Sequence, residues 1–152
     1  MQHKHNPYLH LAIMTVLSFA AMYVLMYAMV DRFSNVYPNL NQAYMAALMA
    51  APMVLIELAV MGAMYPSKKA NLAIATVSVI ALVGSFAMIR GQTLIGDVQF
   101  LKSMIPHHAG ALLMCGKAPI TDPEIKRLCG TIIKGQQDEI DQMKAALARL
   151  DR

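Results

Sequence analysis

The stretch from Leu72 to Ile89 reads LAIATVSVIALVGSFAMI and contains no charged residue. A helix rises about 1.5 Å per residue, and about 20 apolar residues carry one across the hydrocarbon core of a bilayer. Two more stretches of the same character precede it, Leu11 to Val30 and Ala43 to Met64. The connections are short and polar, Asp31 to Gln42 and Tyr65 to Asn71. With three spans, Tyr8 and Tyr65 fall at one interface and Tyr27, Tyr37 and Tyr44 near the other, as an aromatic belt requires. Composition agrees: 57% of the 152 residues are hydrophobic and 14% charged, against about 25% charged in ordinary soluble domains.

The first apolar segment is longer than the core of a secretory signal, and no small-residue cleavage site follows, so it reads as an uncleaved anchor. Lys4, Lys68 and Lys69 fall on one side of the three spans, and Arg32 and Arg90 on the other. The positive-inside rule then predicts a cytoplasmic N-terminus and a periplasmic C-terminal segment, in a bacterial inner membrane. The net charge of +4 is not clustered, and no basic run carries interleaved aromatics, so no nucleic-acid partner is expected.

From Asp97 onward charged and apolar residues alternate at helical spacing. One helix is predicted from about Asp97 to Lys117, either separate from the third span or continuing it through Gly91 and Gly96. Pro119 to Pro123 breaks it. A second helix follows from Pro123 to Leu150, with Thr121 and Glu124 as a capping box and Pro123 in its first position. The expected architecture is an all-α membrane protein. Residues 1–92 form the tail and three-helix anchor (spans 11–30, 43–64 and 72–89), and residues 93–152 form an antiparallel helical hairpin.

The second hairpin helix has an apolar stripe at Ile125, Cys129, Ile132, Gln136, Ile140, Met143, Leu147 and Leu150, interrupted by Gln136. The first has Leu101, Met104, His108, Ala111 and Cys115, interrupted by His108. Folding the hairpin about Asp122 sets Cys115 opposite Cys129, His108 opposite Gln136, and Met104 one turn from Met143. Thioether, thiolate and imidazole are the donors a soft ion such as Cu(I) or Ag(I) prefers. His107 and His108 point about 100° apart, so sharing one ion is awkward. Gln136 reads as a hydrogen-bond partner that orients a histidine. Cys115 and Cys129 are either thiolate ligands or a disulfide, and both alternatives stand.

The segments Asp97 to His108 (DVQFLKSMIPHH) and Ile132 to Met143 (IIKGQQDEIDQM) resemble two motifs of the CopM-like family of bacterial proteins, long catalogued as a domain of unknown function. The resemblance covers about residues 95–150. It implies a helical hairpin or four-helix bundle that binds copper or silver through Met and His and serves metal tolerance. By matching position the implied ligands are Met104, His107, His108, Met114 and Met143. Asp97 is a separate candidate for a supporting place behind the ligands. Cys115 and Cys129 depart from the family's small residues. The three-span anchor lies outside the resembling segment.

Elsewhere, Met45, Met49 and Met53 repeat every four residues ahead of Glu57, a carboxyl inside the second span. Intramembrane carboxyls are functional by default. The stripe is therefore a candidate pathway for a soft cation, although Ala43, Ala47 and Ala51 form a small-residue face that suits helix packing. His3 and His5 make a candidate N-terminal copper site. A lone hairpin leaves apolar faces uncovered, so a homodimer closing a four-helix bundle through Leu112, Leu128 and Ile133 is expected. No nucleophile triad, phosphate loop or carboxylate pair points to catalysis, so the chain is expected not to be an enzyme. The expected function is membrane-anchored binding of Cu(I) or Ag(I) for copper homeostasis, with a copper chaperone or exporter as partner. The alternatives are a copper channel using the Met stripe, and a structural anchor whose hairpin recruits a partner.

Overall fold

A computed structural model describes residues 6–150. Among the described residues there are five α-helices and no strand: α1 (Pro7–Leu25), α2 (Leu40–Val60), α3 (Lys68–Gly91), α4 (Asp97–Lys117) and α5 (Pro123–Leu150). Short 3-10 turns at Met26–Met29, Phe33–Asn35 and Gly62–Met64 complete the connections. Three segments are long and apolar enough to cross a membrane, Pro7–Met29, Leu40–Val60 and Lys68–Gly91. The second span stops at Val60, four residues short of the expected Met64, because the chain turns at Gly62–Met64.

The chain divides into two compact units. The first contains α1, Asn41–Thr93 and therefore most of α2 and all of α3. Its core is Leu11, Val54 and Tyr65, with Tyr8, Met14, Leu58 and Ile74 packed around them. Tyr8 and Tyr65 stack at a ring separation of 5.5 Å, at the one end where the aromatic pattern placed them. The Tyr8 hydroxyl donates to Asn71 Oδ1 at 2.9 Å and accepts from the Ser67 amide at 3.0 Å. Ser67 caps α3 by accepting from the Ala70 amide.

The second unit joins Met26–Leu40, the loop between the first two spans, to everything from Leu94 on. Two crossings, α2 and α3, separate loop from hairpin, so a three-span chain must put both on one side of the bilayer, and both do belong to one unit. The loop is stitched to α4 by polar contacts. The Leu40 amide donates to Gln99 Oε1 at 2.9 Å, Asn39 Nδ2 donates to the Lys102 carbonyl at 3.3 Å, and the Tyr27 hydroxyl donates to the Tyr37 carbonyl at 2.8 Å. Arg32 reaches α5, donating to Gln137 Oε1 at 3.3 Å.

The loop changes which face of α4 is buried. The core is Leu101, Ile105, Ala109 and Leu112 of α4 against Ile140 and Leu147 of α5, with Val30 and Tyr37 of the loop packed on it. These α4 positions follow the three-and-four spacing of a buried stripe. They lie one residue round from the expected stripe of Met104, His108, Ala111 and Cys115. The shift has a plain cause: α4 is covered by α5 on one side and the loop on another, and its most apolar line faces between them. Leu112 is thereby consumed within the chain and is not free to serve a dimer, whereas Leu128 and Ile133 stay exposed.

One open alternative is decided and one local expectation changes. α4 does not continue α3. Gln92 takes a left-handed conformation (φ 47°) and Leu94 another (φ 61°). The turn is held by a reciprocal amide pair between Asn41 and Gln92 and by the Tyr44 hydroxyl on the Thr93 carbonyl. The cap of α5 is Asp122, not Thr121: its Oδ1 accepts from the Glu124 and Ile125 amides at 2.9 and 3.0 Å. A carboxylate one residue before Pro123 reaches the amides of the second and third helical positions, the first two that Pro123 leaves free, and also favours the helix's positive end.

Candidate functional site

Met104, His107 and His108 sit within one turn in the middle of α4, on the side next to the buried line through Ile105 and Ala109. Pro106 lies inside the helix without ending it. Met104 is half-buried and His107 exposed. The His108 side chain is largely covered, at 11% exposure. Its Nδ1 lies 3.0 Å from the Met104 carbonyl oxygen, an acceptor, so Nδ1 carries the hydrogen and donates. Its Nε2 lies 2.8 Å from Glu139 Oε2 on α5. Both ring nitrogens thus face oxygen acceptors.

Glu139, not Gln136, is therefore the residue that orients His108. Gln136 is half-buried and makes no recorded bond to either imidazole among the described residues. The register explains this. Cys115 does meet Cys129, as folding about Asp122 requires, but two turns further along the hairpin His108 meets the residue three beyond Gln136. Gln136, Glu139 and Met143 are spaced three and four apart, and this spacing was the signal in the sequence that could have singled out Glu139.

The two imidazole rings lie 6.0 Å apart, inclined by 62°. That is close to the roughly 5–6 Å that one ion at about 2 Å from a nitrogen of each ring would demand. Met143 is half-buried against the core. Met114 is exposed, six residues and about 9 Å along α4 from His108. Asp97 is exposed in the first turn of α4, eleven residues and about 16 Å from His108, too far to support it. Its carboxylate instead complements the positive helix end.

Cys115 and Cys129 form a disulfide, with Cα atoms 5.2 Å apart. Of the two alternatives the disulfide is the one present, and it leaves no thiolate to bind a metal. Among the described residues no three His, Cys, Asp or Glu side chains converge into a metal cluster.

In the membrane unit, Met45 and Met49 are exposed on α2, and its buried face is Tyr44, Ala46, Ala50, Ala51 and Val54. Of the expected small-residue face, Ala51 is buried and Ala43 and Ala47 half-buried. Glu57 lies in the last turn of α2 and accepts a hydrogen bond from the Tyr65 hydroxyl at 3.0 Å. It ties down the turn that follows the span. Burial, together with that bond to Glu57, pushes the Tyr65 phenol above its ordinary value. His3 and His5 lie outside the described residues.

Fold and site together define a class: three helices able to span a membrane, followed by a disulfide-closed helical hairpin that presents Met and His. Residues 89–152 match the family described as "Domain of unknown function (DUF305)". An uncharacterized protein of Acanthamoeba polyphaga mimivirus is 34% identical over 139 residues, 89% of each chain. The chain belongs to the family of this relative, with the DUF305 domain as its C-terminal part. The 139 aligned residues exceed the 64 of the domain by 75, so the similarity reaches into the apolar helices as well. No solved structure matches the chain.

Proposed function

We propose that this protein binds soft metal ions, Cu(I) or Ag(I), at the hairpin and serves copper homeostasis or tolerance from a membrane anchor. The observation that carries the reading is the grouping of Met104, His107 and His108 within one helical turn, with rings 6.0 Å apart. Met143 is half-buried on the facing helix. Copper bound there would be a soft acceptor of thioether and imidazole donors. The residues fit such an ion by donor chemistry. His107 is exposed and its ring makes no recorded hydrogen bond, so a nitrogen lone pair is available. His108 offers Nε2 once Glu139 turns aside, and Glu139, at 55% exposure, has the room to do so.

In this reading the hairpin stands on the periplasmic side of a bacterial inner membrane, or its equivalent, with the N-terminus cytoplasmic. A disulfide suits that side, where thiols are oxidised. The partner is a copper chaperone or exporter, and a second copy of the chain is a further candidate. The motifs resembling CopM-like proteins point the same way. The experiment is a competitive Cu(I) titration of the full chain in detergent beside His107→Ala/His108→Ala. Stoichiometric binding lost in the double variant is expected; equal binding by both would move the site elsewhere.

A second reading has its own observation. Met114, Ile125, Leu128 and Ile133 are all exposed near the tip of the hairpin. A surface of this kind suits a partner protein, and the hairpin would then be a recruiting element. That reading predicts no metal in the same titration. The channel reading has less support, since Met45 and Met49 lie on an uncovered surface of α2 and Glu57 is engaged by Tyr65.

A further inference from the structure

The three membrane helices cover little of one another. The shares of the most apolar windows buried in α1 with its extension, α2 and α3 are 6%, 28% and 11%. Between them runs a groove of about 440 Å³, lined by Leu11 and Val16 of α1, Val54 of α2, and Ala73, Ile74 and Val77 of α3, with Tyr8 at one end. In the hydrocarbon core such a gap is not left empty, because its lining would forfeit contacts on one side. Nor is it a place for water, which needs several polar partners. The hydroxyls of Thr15 and Ser78 in its lining do not change this. Thr15 already donates to the Leu11 carbonyl of its own helix, and Ser78 can do the same. From Tyr8 to Val16 the groove follows eight residues of α1, about 12 Å, and an extended acyl chain is the occupant of that shape and polarity.

The end at Tyr8 adjoins the start of α3. Tyr8 closes onto Ser67 and Asn71, and Lys68 and Lys69 follow in the first turn of α3. Both lysines are exposed, and that turn holds no acidic residue. Neither lysine takes part in an ion pair among the described residues. Two unneutralised ammonium groups at the positive end of a helix call for an anion, and the groove beginning beside them calls for a hydrocarbon tail. We propose that the membrane unit holds one anionic phospholipid, its acyl chain in this groove and its phosphate at Lys68 and Lys69. The proposal rests on the membrane-spanning character of α1–α3 and not on the metal reading.

The test is native mass spectrometry of the full chain in detergent, titrated with phosphatidylglycerol or phosphatidylcholine of identical acyl chains. One retained phosphatidylglycerol is expected, favoured roughly thirtyfold over phosphatidylcholine, the order that two surface lysines confer. Lys68→Gln/Lys69→Gln, a surface change with unaltered hydrogen exchange in α2 and α3 as its folding check, should bring the ratio near one. Ala73→Phe should fill the groove and reduce retention of both lipids. Equal retention of the two lipids by the wild type, or an unchanged preference in the lysine variant, overturns the proposal. So does displacement of the lipid by inorganic phosphate alone, which would show a headgroup site that makes no use of the groove.

Discussion

Replacing Cys115 and Cys129 by serine removes the one covalent link between α4 and α5 among the described residues. The two positions are 14 apart in sequence, so the bond closes a loop of 15 residues. Closing a loop of that length takes from the unfolded hairpin conformational entropy worth about 3 kcal/mol at 25 °C. The rest of the hairpin holds together without it, through Ile105 and Ile140, both fully buried, and Leu101, Leu112 and Leu147 around them. The double serine variant should therefore fold but open far more often. A change of about 3 kcal/mol multiplies the open population by roughly two orders of magnitude. Hydrogen exchange read by mass spectrometry reports this directly, because it isolates the α4 and α5 amides from the membrane helices. Amides around Ile105 and Ile140 should exchange about a hundredfold faster in the variant, and α2 and α3 should not change. Less than a fivefold change would refute the reasoning, by showing that the reduced hairpin is already as constrained as the oxidised one.

Further outcomes concern both units. Gly130 and Gly135 lie inside α5 with nothing within 4 Å of where a Cβ would stand, so Gly130→Ala and Gly135→Ala should each stabilise the hairpin by up to about 1 kcal/mol, measurable as slower exchange in α5. At Asp31 burial would raise the carboxyl, but hydrogen bonds from Arg32 and Asn35 and the Arg32 charge outweigh it and hold it below its ordinary 3.8. A depressed carboxyl contributes stability that is present above 3.8 and is lost as pH falls through its lower folded value. Acid should therefore release the Met26–Leu40 loop, followed by exchange at the Asn35 and Val36 amides, and Asp31→Asn should remove that dependence. Glu57→Gln keeps an acceptor for the Tyr65 hydroxyl and should leave both the membrane unit and metal binding unchanged, whereas a transport role would make that carboxylate indispensable.

Much of this architecture is legible in the residues. Apolar runs of span length mark three helices because the bilayer imposes one length and one chemistry. Pro119 and Pro123 mark the hairpin turn because proline cannot sit inside a helix without loss of a hydrogen bond. Folding about Asp122 pairs Cys115 with Cys129 correctly because a short turn fixes the register at the tip. The rest depends on contacts distant in sequence. Nothing local to α4 announces that Val30 and Tyr37, more than sixty residues earlier, cover one of its faces, so Ile105 and Ala109 are buried where Met104 and His108 were expected. The same rotation hands His108 to Glu139, a residue whose exposed, charged character hides a positioning role. Glu57 reads as an intramembrane carboxyl from position alone, and only the turn at Gly62–Met64 brings Tyr65 back to it.

The central claim is that the hairpin takes a soft ion through methionine sulfur as well as imidazole. Copper-edge X-ray absorption of the Cu(I)-loaded full chain tests it most directly, with the Cys115–Cys129 bond kept intact so that methionine is the only sulfur able to bind. Sulfur and nitrogen together in the first coordination shell, with the sulfur lost in Met104→Leu/Met143→Leu, is the predicted result. A shell of nitrogen and oxygen alone, or a chain that retains no copper, would contradict the account.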